Sequence, residues 1–323
     1  MYPLKFHSIL KTVVWGGEGI APYKEIETDQ QHIGESWELS GVAGNESIVA
    51  EGPLAGRSIA DLVKTYREQL VGRHVYAQTG DEFPLLIKFI DALSDLSIQV
   101  HPNDELAAAR HNGSKGKTEM WYVVDAAPGA HLLSGLKQKI TPAEYEARVA
   151  DGSICEVLAR YEVHPGDVFF LPAGRIHAIC GGCFIAEIQQ TSNITYRIWD
   201  YGRLGLDGKP REVHTELAKD AIDYRVYPDY RTHYEREQDT EVELVSCPYF
   251  TTSLYDLTLP YAKDLSEIDS FMVVMCIAGS GTIEVDGHEV TVHQGETVLV
   301  PASADDLCLV PDDRMKILTS YIR

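Results

Sequence analysis

Cations are scarce in this chain. It carries 28 Lys and Arg against 49 Asp and Glu, a formal net charge of −21 over 323 residues. Nucleic acid and anionic membrane surfaces reward clustered Lys and Arg, so neither is expected as a partner. An anionic small molecule would need local positive charge supplied by its own site. Long apolar runs are also missing. No stretch approaches the ~18 consecutive apolar residues of a membrane-spanning helix. The opening residues, Met1 to His7, hold no run of signal-peptide length. The expectation is a cytoplasmic protein. Cysteine is sparse: Cys155, Cys180, Cys183, Cys247, Cys276 and Cys308, scattered through strand-like segments. Reduced thiols are expected rather than a disulfide framework. Cys180 and Cys183 form a C-x-x-C, but no second pair completes a zinc ribbon, and Gly181-Gly182 reads as a hairpin turn.

What is present is ordinary for a soluble globular protein: 44% apolar and 24% charged residues. The length suits about two domains at ~150 residues each. Residues 1–226 read as an N-terminal domain with helical insertions. Residues 227–243, acidic and rich in Tyr, read as a connection. Residues 244–323 read as nearly all strand.

Helices are expected where apolar residues recur at helical spacing. Ser58 can cap a helix running to Leu70, with Gly72 beyond it. A short helix is expected from Glu105 to His111. Thr141 and Glu144 form a capping-box pattern at the start of a helix over 142–149. Residues 211–224 form an amphipathic pattern. Strands are expected at Val13-Val14, Gly34–Ser40, Leu85–Ile90, Ser97–His101, Lys117–Val124, Phe184–Gln190 and Ile194–Asp200. The 34–40 stretch alternates as an edge or half-buried strand would, and Asp286-Gly287 marks a later hairpin. Lys88 interrupts an apolar strand, where a buried Lys is rare unless paired or functional.

The chemistry concentrates between Gln99 and His177. Strand side chains repeat with period two, so Gln99 and His101 share a face. Glu119, Trp121 and Val123 share another, joined by Lys117. Two imidazoles, a carboxylate and an amide suit zinc or a similar borderline ion better than calcium or magnesium. Pro165-Gly166-Asp167 and the run Val168 to Pro172 read as turn, strand and stop before His177. Gln294-Gly295-Glu296 to Pro301-Ala302 echoes that pattern, but Ala304 or Asp305 falls where His177 would be. A metal is therefore expected in the first copy only.

These segments resemble the two halves of a cupin motif. Together with Trp15-Gly16, Glu35-Ser36-Trp37, Leu96 to Pro102, Lys117-Thr118-Glu119, His164 to His177 and Thr195 to Arg203, they resemble the type I mannose-6-phosphate isomerases in their shorter bacterial form. The resemblance implies a mainly β fold of two cupin (jelly-roll) barrels. It implies an aldose–ketose isomerase interconverting mannose 6-phosphate and fructose 6-phosphate through an enediol(ate), with a sugar phosphate as its small-molecule partner. It implies Zn2+ held by Gln99, His101, Glu119 and His177, and Arg197 as the active-site arginine. Lys88, Ser97, Lys117 and Glu187 fall at positions lining the family's pocket, and Trp15 joins them as a substrate-binding candidate. Lys117 and Glu187 are the candidate proton carriers. Asn193 departs from the acid that many relatives carry there. Two other readings remain: a metal-dependent cupin oxygenase, which usually takes a His in place of Gln99, and a sugar-phosphate-binding cupin without turnover.

Overall fold

A computed structural model describes residues 1–323 and is built from three antiparallel sheets. A seven-stranded sheet runs in the order Arg231–Thr232, Val168–Leu171, Glu119–Ala126, Cys183–Gln190, Leu85–Ala92, Ile9–Gly17, Ile33–Ser40. A five-stranded sheet orders Tyr196–Trp199, Ile98–Val100, His177–Ile179, His131–Leu136 and Leu158–Glu162. An eight-stranded sheet takes all strands from Glu241 to Tyr321, plus Leu4–Lys5, which pairs with Thr297–Val300.

The seven-stranded sheet is buried on both faces, which is why its strands read as near-continuous apolar runs. One face carries Ile87, Phe89, Met120, Ala186 and Ile188. It packs against Phe250, Phe271, Met275 and Leu318 of the C-terminal strands in one cluster. The alternate residues Ile90, Trp121, Val123 and Ile185 turn the other way. They meet Leu132, Phe169 and Ile179 in a second cluster, between the seven- and five-stranded sheets. Lys88 belongs to this second face by period two, so the residue that interrupts the apolar strand points into the space between those sheets. The outer face of the five-stranded sheet is covered by helical residues Tyr145, Val149, Ile154 and Ala218.

Several expectations need correction. The helix begun by Ser58, whose side chain accepts from Asp61 N–H, ends at Tyr66 rather than Leu70. Arg67, at φ 48°, breaks it, and a short turn Glu68–Val71 follows that buries Leu70 and Val71. The 211–224 pattern yields a helix only over Thr215–Ala221. Arg211 is instead drawn onto Asp200 (2.6 Å), and the His214 N–H donates to the Arg197 carbonyl (2.7 Å). The Ile33–Ser40 strand is not an edge, since it pairs with both Ile9–Gly17 and Leu85–Ala92. Gly181-Gly182 is not a hairpin turn. It carries the chain from the five-stranded to the seven-stranded sheet, with Gly182 at φ 88°. All six cysteines are free thiols.

The helix Asp104–Arg110, capped by Asn103, and the helix Pro142–Asp151, with its full Thr141/Glu144 capping box, form where expected. Asp286-Gly287 closes a hairpin with both residues at positive φ. The 227–243 stretch contributes the Arg231–Thr232 strand to the seven-stranded sheet and is tied down by its tyrosines. Tyr230 donates to the Leu136 carbonyl (2.8 Å) and Tyr234 to that of Gly166 (2.7 Å).

Candidate metal centre and substrate pocket

Two cross-strand rows build the site. Residues directly opposite in an antiparallel pair share a face. In the five-stranded sheet the register sets Arg197, Gln99, His177 and Ser134 side by side. In the seven-stranded sheet it sets Trp37, Lys88, Glu187, Trp121 and Phe169 in a row. The rows meet where the Trp121 ring stands edge-on to His177 at 5.2 Å. Glu119, two residues before Trp121, joins the same face.

His101, Glu119 and His177 converge with their ligand atoms all within 4.8 Å of one another. His177 Nε2 lies 3.3 Å from Glu119 Oε1, and His101 Nε2 lies 3.6 Å from Glu119 Oε2. The backbone fixes both tautomers, because a carbonyl only accepts. His101 Nδ1–H donates to Ile194 O (2.9 Å) and His177 Nδ1–H to Arg175 O (2.8 Å). Both Nε2 lone pairs are thereby turned into the cluster, as ligation requires. Burial, with Lys117 adding to it, pushes His177 down to about 3 and His101 well below 6.5. Both imidazoles are neutral at pH 7.

Glu119 is fully buried, and its Oε1 has no hydrogen-bond partner. A buried anionic oxygen left unpaired is costly unless a cation meets it. The Gln99 amide end lies 3.3 Å from His177 Nε2. Rotating that amide by 180° presents its oxygen there without changing its shape. The donor set of two nitrogens and two oxygens thus fits a borderline divalent ion, and the orphaned carboxylate oxygen is the observation that asks for one. No other cluster of three ligand-type residues exists in the chain.

A cavity of about 260 Å³ opens beside the cluster. Every sequence-predicted substrate and catalytic residue lines it: Trp15, Lys88, Ser97, Lys117, Glu187 and Arg197, together with Gln99. Lys88 Nζ is ion-paired with Glu187 Oε1 (2.9 Å) and lies 3.5 Å from Glu35. Burial alone would lower the Lys88 ammonium, but Glu187 and Glu35 outweigh it and raise it. Lys117 pairs with Glu119 and reaches His101 Nε2 at 3.2 Å. Burial pushes Glu187 up, yet Lys117 and Lys88 overcome it and hold the carboxyl at about 2. Glu187 also accepts from Trp121 Nε1 (2.7 Å). Glu119 is pushed upward by burial and Glu187 against the pull of Lys117, so its charged form asks for a cation beside it.

At the rim, Arg197 donates to the Glu212 carbonyl (2.7 Å), while its buried Nε has no partner. Burial, then the nearby Arg211, lowers its pKa. Arg211 also lines the cavity and grips Asp200, which Arg203 holds from the other side.

Sequence reasoning missed Glu35, Trp37 and Arg211 as lining residues. Period-two alternation along 33–40 carried the signal for the first two, since Glu35 and Trp37 share a face. Arg211 sits in irregular chain and left no signal at that scale.

Residues 4–124 match the family described as phosphomannose isomerase type I, catalytic domain, and residues 240–322 match mannose-6-phosphate isomerase, cupin domain. The mannose-6-phosphate isomerase ManA of Bacillus subtilis (strain 168) is 34% identical over 302 residues, covering 93% of each chain. The crystal structure of the mannose 6-phosphate isomerase from Bacillus subtilis superposes with a TM-score of 0.90 at 28% identity, over 100% of both chains. A zinc-bound mannose 6-phosphate isomerase shares the fold, with a TM-score of 0.79 at 16% identity over 100% of both chains.

Proposed function

The chain belongs to the type I phosphomannose isomerase family, and from that membership we propose that it interconverts mannose 6-phosphate and fructose 6-phosphate with Zn2+ held by Gln99, His101, Glu119 and His177. The observation that carries this reading is the buried His101–Glu119–His177 cluster with an orphaned carboxylate oxygen, beside a cavity lined by Gln99, Lys88, Lys117, Glu187 and Arg197. The zinc-bound relative supports the choice of ion.

The reaction moves a proton between C2 and C1 of an open-chain sugar, so negative charge develops on the adjoining oxygens. A bound divalent ion would supply Lewis-acid polarisation of those oxygens. Arg197 is permanently charged, and its Nε and remaining donors are free to meet the same developing charge. Lys117 is the proton carrier in this scheme. Glu187, held low by Lys117 and Lys88, is the weaker base of the two candidates. Its role is to keep Lys88 and Lys117 in place.

Charge balance favours one place for the phosphate end. Lys88 and Lys117 are matched by Glu35, Glu187 and Glu119. Arg203 and Arg211 share a single carboxylate, Asp200, and Arg197 makes no ion pair of its own. The uncompensated positive charge therefore lies at the arginine rim, and a phosphate is best received there by Arg211, leaving Arg197 to the reacting oxygens. This is the local positive charge that so acidic a protein has to supply to an anionic sugar.

The test is isomerisation of mannose 6-phosphate before and after exhaustive chelation, with bound metal counted. Activity is expected to vanish with the metal and to return on adding zinc. A fully metal-loaded protein that binds the sugar phosphate without converting it would replace this reading with that of a binding protein.

A further inference from the structure

The C-terminal strands carry no metal-ligand cluster, yet one of their side chains reaches the chain that carries Lys117 and Glu119. Tyr249 lies in the turn between the strands Glu241–Ser246 and Thr251–Leu257. Its hydroxyl donates to Asp104 Oδ2 at 2.9 Å. Asp104 Oδ1 in turn accepts from the Gly116 N–H (2.7 Å) and from Gln190 Nε2 (3.0 Å). Gln190 Oε1 accepts from the Thr118 N–H (2.8 Å), and the Gln190 N–H donates back to the Thr118 carbonyl (3.1 Å). Thr118 Oγ1 accepts from the Ala173 N–H (3.2 Å), in the turn that leads to His177.

Residues 116–118 form no regular strand of their own. This network fixes them on both sides of Lys117 and immediately before Glu119. Gly116 is pressed so closely on the Asn103–Asp104 backbone that a Cβ there would lie 2.6 Å from Asn103 C. Asp104 and residues 116–118 therefore move together. A cavity of about 160 Å³, lined by Asp104, Lys115, Gln190 and Tyr249 among others, leaves Asp104 room to swing once the tyrosine bond is gone.

We propose that Tyr249 is a positioning residue: through Asp104 it lets the C-terminal sheet set the placement of Lys117 and Glu119. The inference rests on the isomerase reading for its kinetic consequence, but not for its structural one. Small displacements of reacting groups cost rate far more than they cost ground-state binding.

The experiment compares Tyr249→Phe with Tyr23→Phe. Tyr23 donates to the Ile277 carbonyl (2.7 Å) and so also ties the C-terminal sheet to the rest of the molecule, but it leads to no ligand. Tyr249→Phe is expected to lower kcat about 10-fold with KM within twofold. It should also shift the visible spectrum of the Co2+-substituted protein and speed amide hydrogen exchange over residues 115–119 in the metal-free protein. Tyr23→Phe should lower Tm by a similar amount while leaving all three readouts as in the wild type. Equal behaviour of the two variants, or a Tyr249→Phe protein with wild-type kcat, spectrum and exchange, overturns the proposal. If the wild type does not isomerise the sugar at all, the isomerase reading fails, and the spectrum and exchange data alone decide the positioning role.

Discussion

The imidazoles of His101 and His177 are held neutral by burial and the nearby Lys117, against the pull of the two carbonyl acceptors that fix their tautomers, so the site is ready to ligate without first shedding protons from them. The consequence for pH has a definite sign. The folded-state pKa of His177, about 3, lies below its ordinary value of 6.5. The unfolded chain therefore binds the extra proton first as the medium is acidified. The stability contribution is fully present above 6.5 and is lost as pH falls from there toward 3. Scanning calorimetry of chelated protein should show the Tm advantage of wild type over His177→Gln shrinking steadily from pH 7 to pH 4, and a constant difference would contradict the burial argument. Arg197 tests the other half of the chemistry. Arg197→Ala should lower kcat by about 10³-fold, the scale of losing a developing-charge contact. Metal content should stay at the wild-type level, because Arg197 holds no ligand. Loss of metal in that variant would show that its strand, not its charge, is what matters.

At the level of elements, the site depends on registers more than on helices. Gln99, His177 and Arg197 are aligned because three short strands pair without slipping across that row. A one-residue slip would turn each side chain to the opposite face. Helices lie outside these rows, and apart from Asp104 at the start of Asp104–Arg110 they stabilise without reaching the site. Thr141 caps the helix Pro142–Asp151, whose Tyr145 and Val149 cover the outer face of the five-stranded sheet. Thr141→Ala is expected to cost about 1 kcal/mol, which lowers Tm by roughly 2 °C in a chain of this size, with kcat and KM unchanged. A drop in kcat would mean that this helix reaches the site. The Cys180–Cys183 turn is also structural. Burial pushes the Cys183 thiol up to about 12 and Cys180 further still, which suppresses the reactive thiolate.

At the scale of the whole molecule, the seven-stranded sheet is the shared wall. Its inner face carries Lys88, Glu119, Trp121 and Glu187, and its outer face packs on the C-terminal strands. The two sides are further locked by the buried pair Lys24–Glu38 (2.7 Å), whose ammonium also reaches the Gly295 carbonyl, and by Asp269 accepting from the Arg73 N–H (2.8 Å). Removing one partner of such a buried pair is costly. Metal binding to the folded chain alone adds to this stability by mass action. The chelation that abolishes activity should therefore also lower Tm, and zinc should restore both together.

The sequence by itself determined the residue kinds and the local periods. Alternation placed Gln99 with His101 and Glu119 with Trp121. Lys88 stood out because a charge inside an apolar strand needs a partner, and the capping signals at Ser58 and Thr141 located two helix starts. The lack of a His at Ala304 or Asp305 pointed to a ligand cluster in one copy of the repeated pattern, where His101, Glu119 and His177 converge. All of these follow from interactions within a few residues along the chain. Tertiary structure decided what depends on distant partners. Arg67 ended the helix begun at Ser58 as Leu70 and Val71 turned into a core. Residues 211–214 gave up a helical pattern because Asp200 and Arg197 offered better-paired contacts. Gly181-Gly182 bridged two sheets instead of closing a hairpin, since Cys183–Gln190 found its neighbours at Leu85–Ala92 and Glu119–Ala126. The pairing of Glu187 with Lys88 rather than with solvent, and the reach of Tyr249 to Asp104 across 145 positions, rest on the same cause. Long-range contacts are selected by shape and charge in three dimensions, and no local period records them.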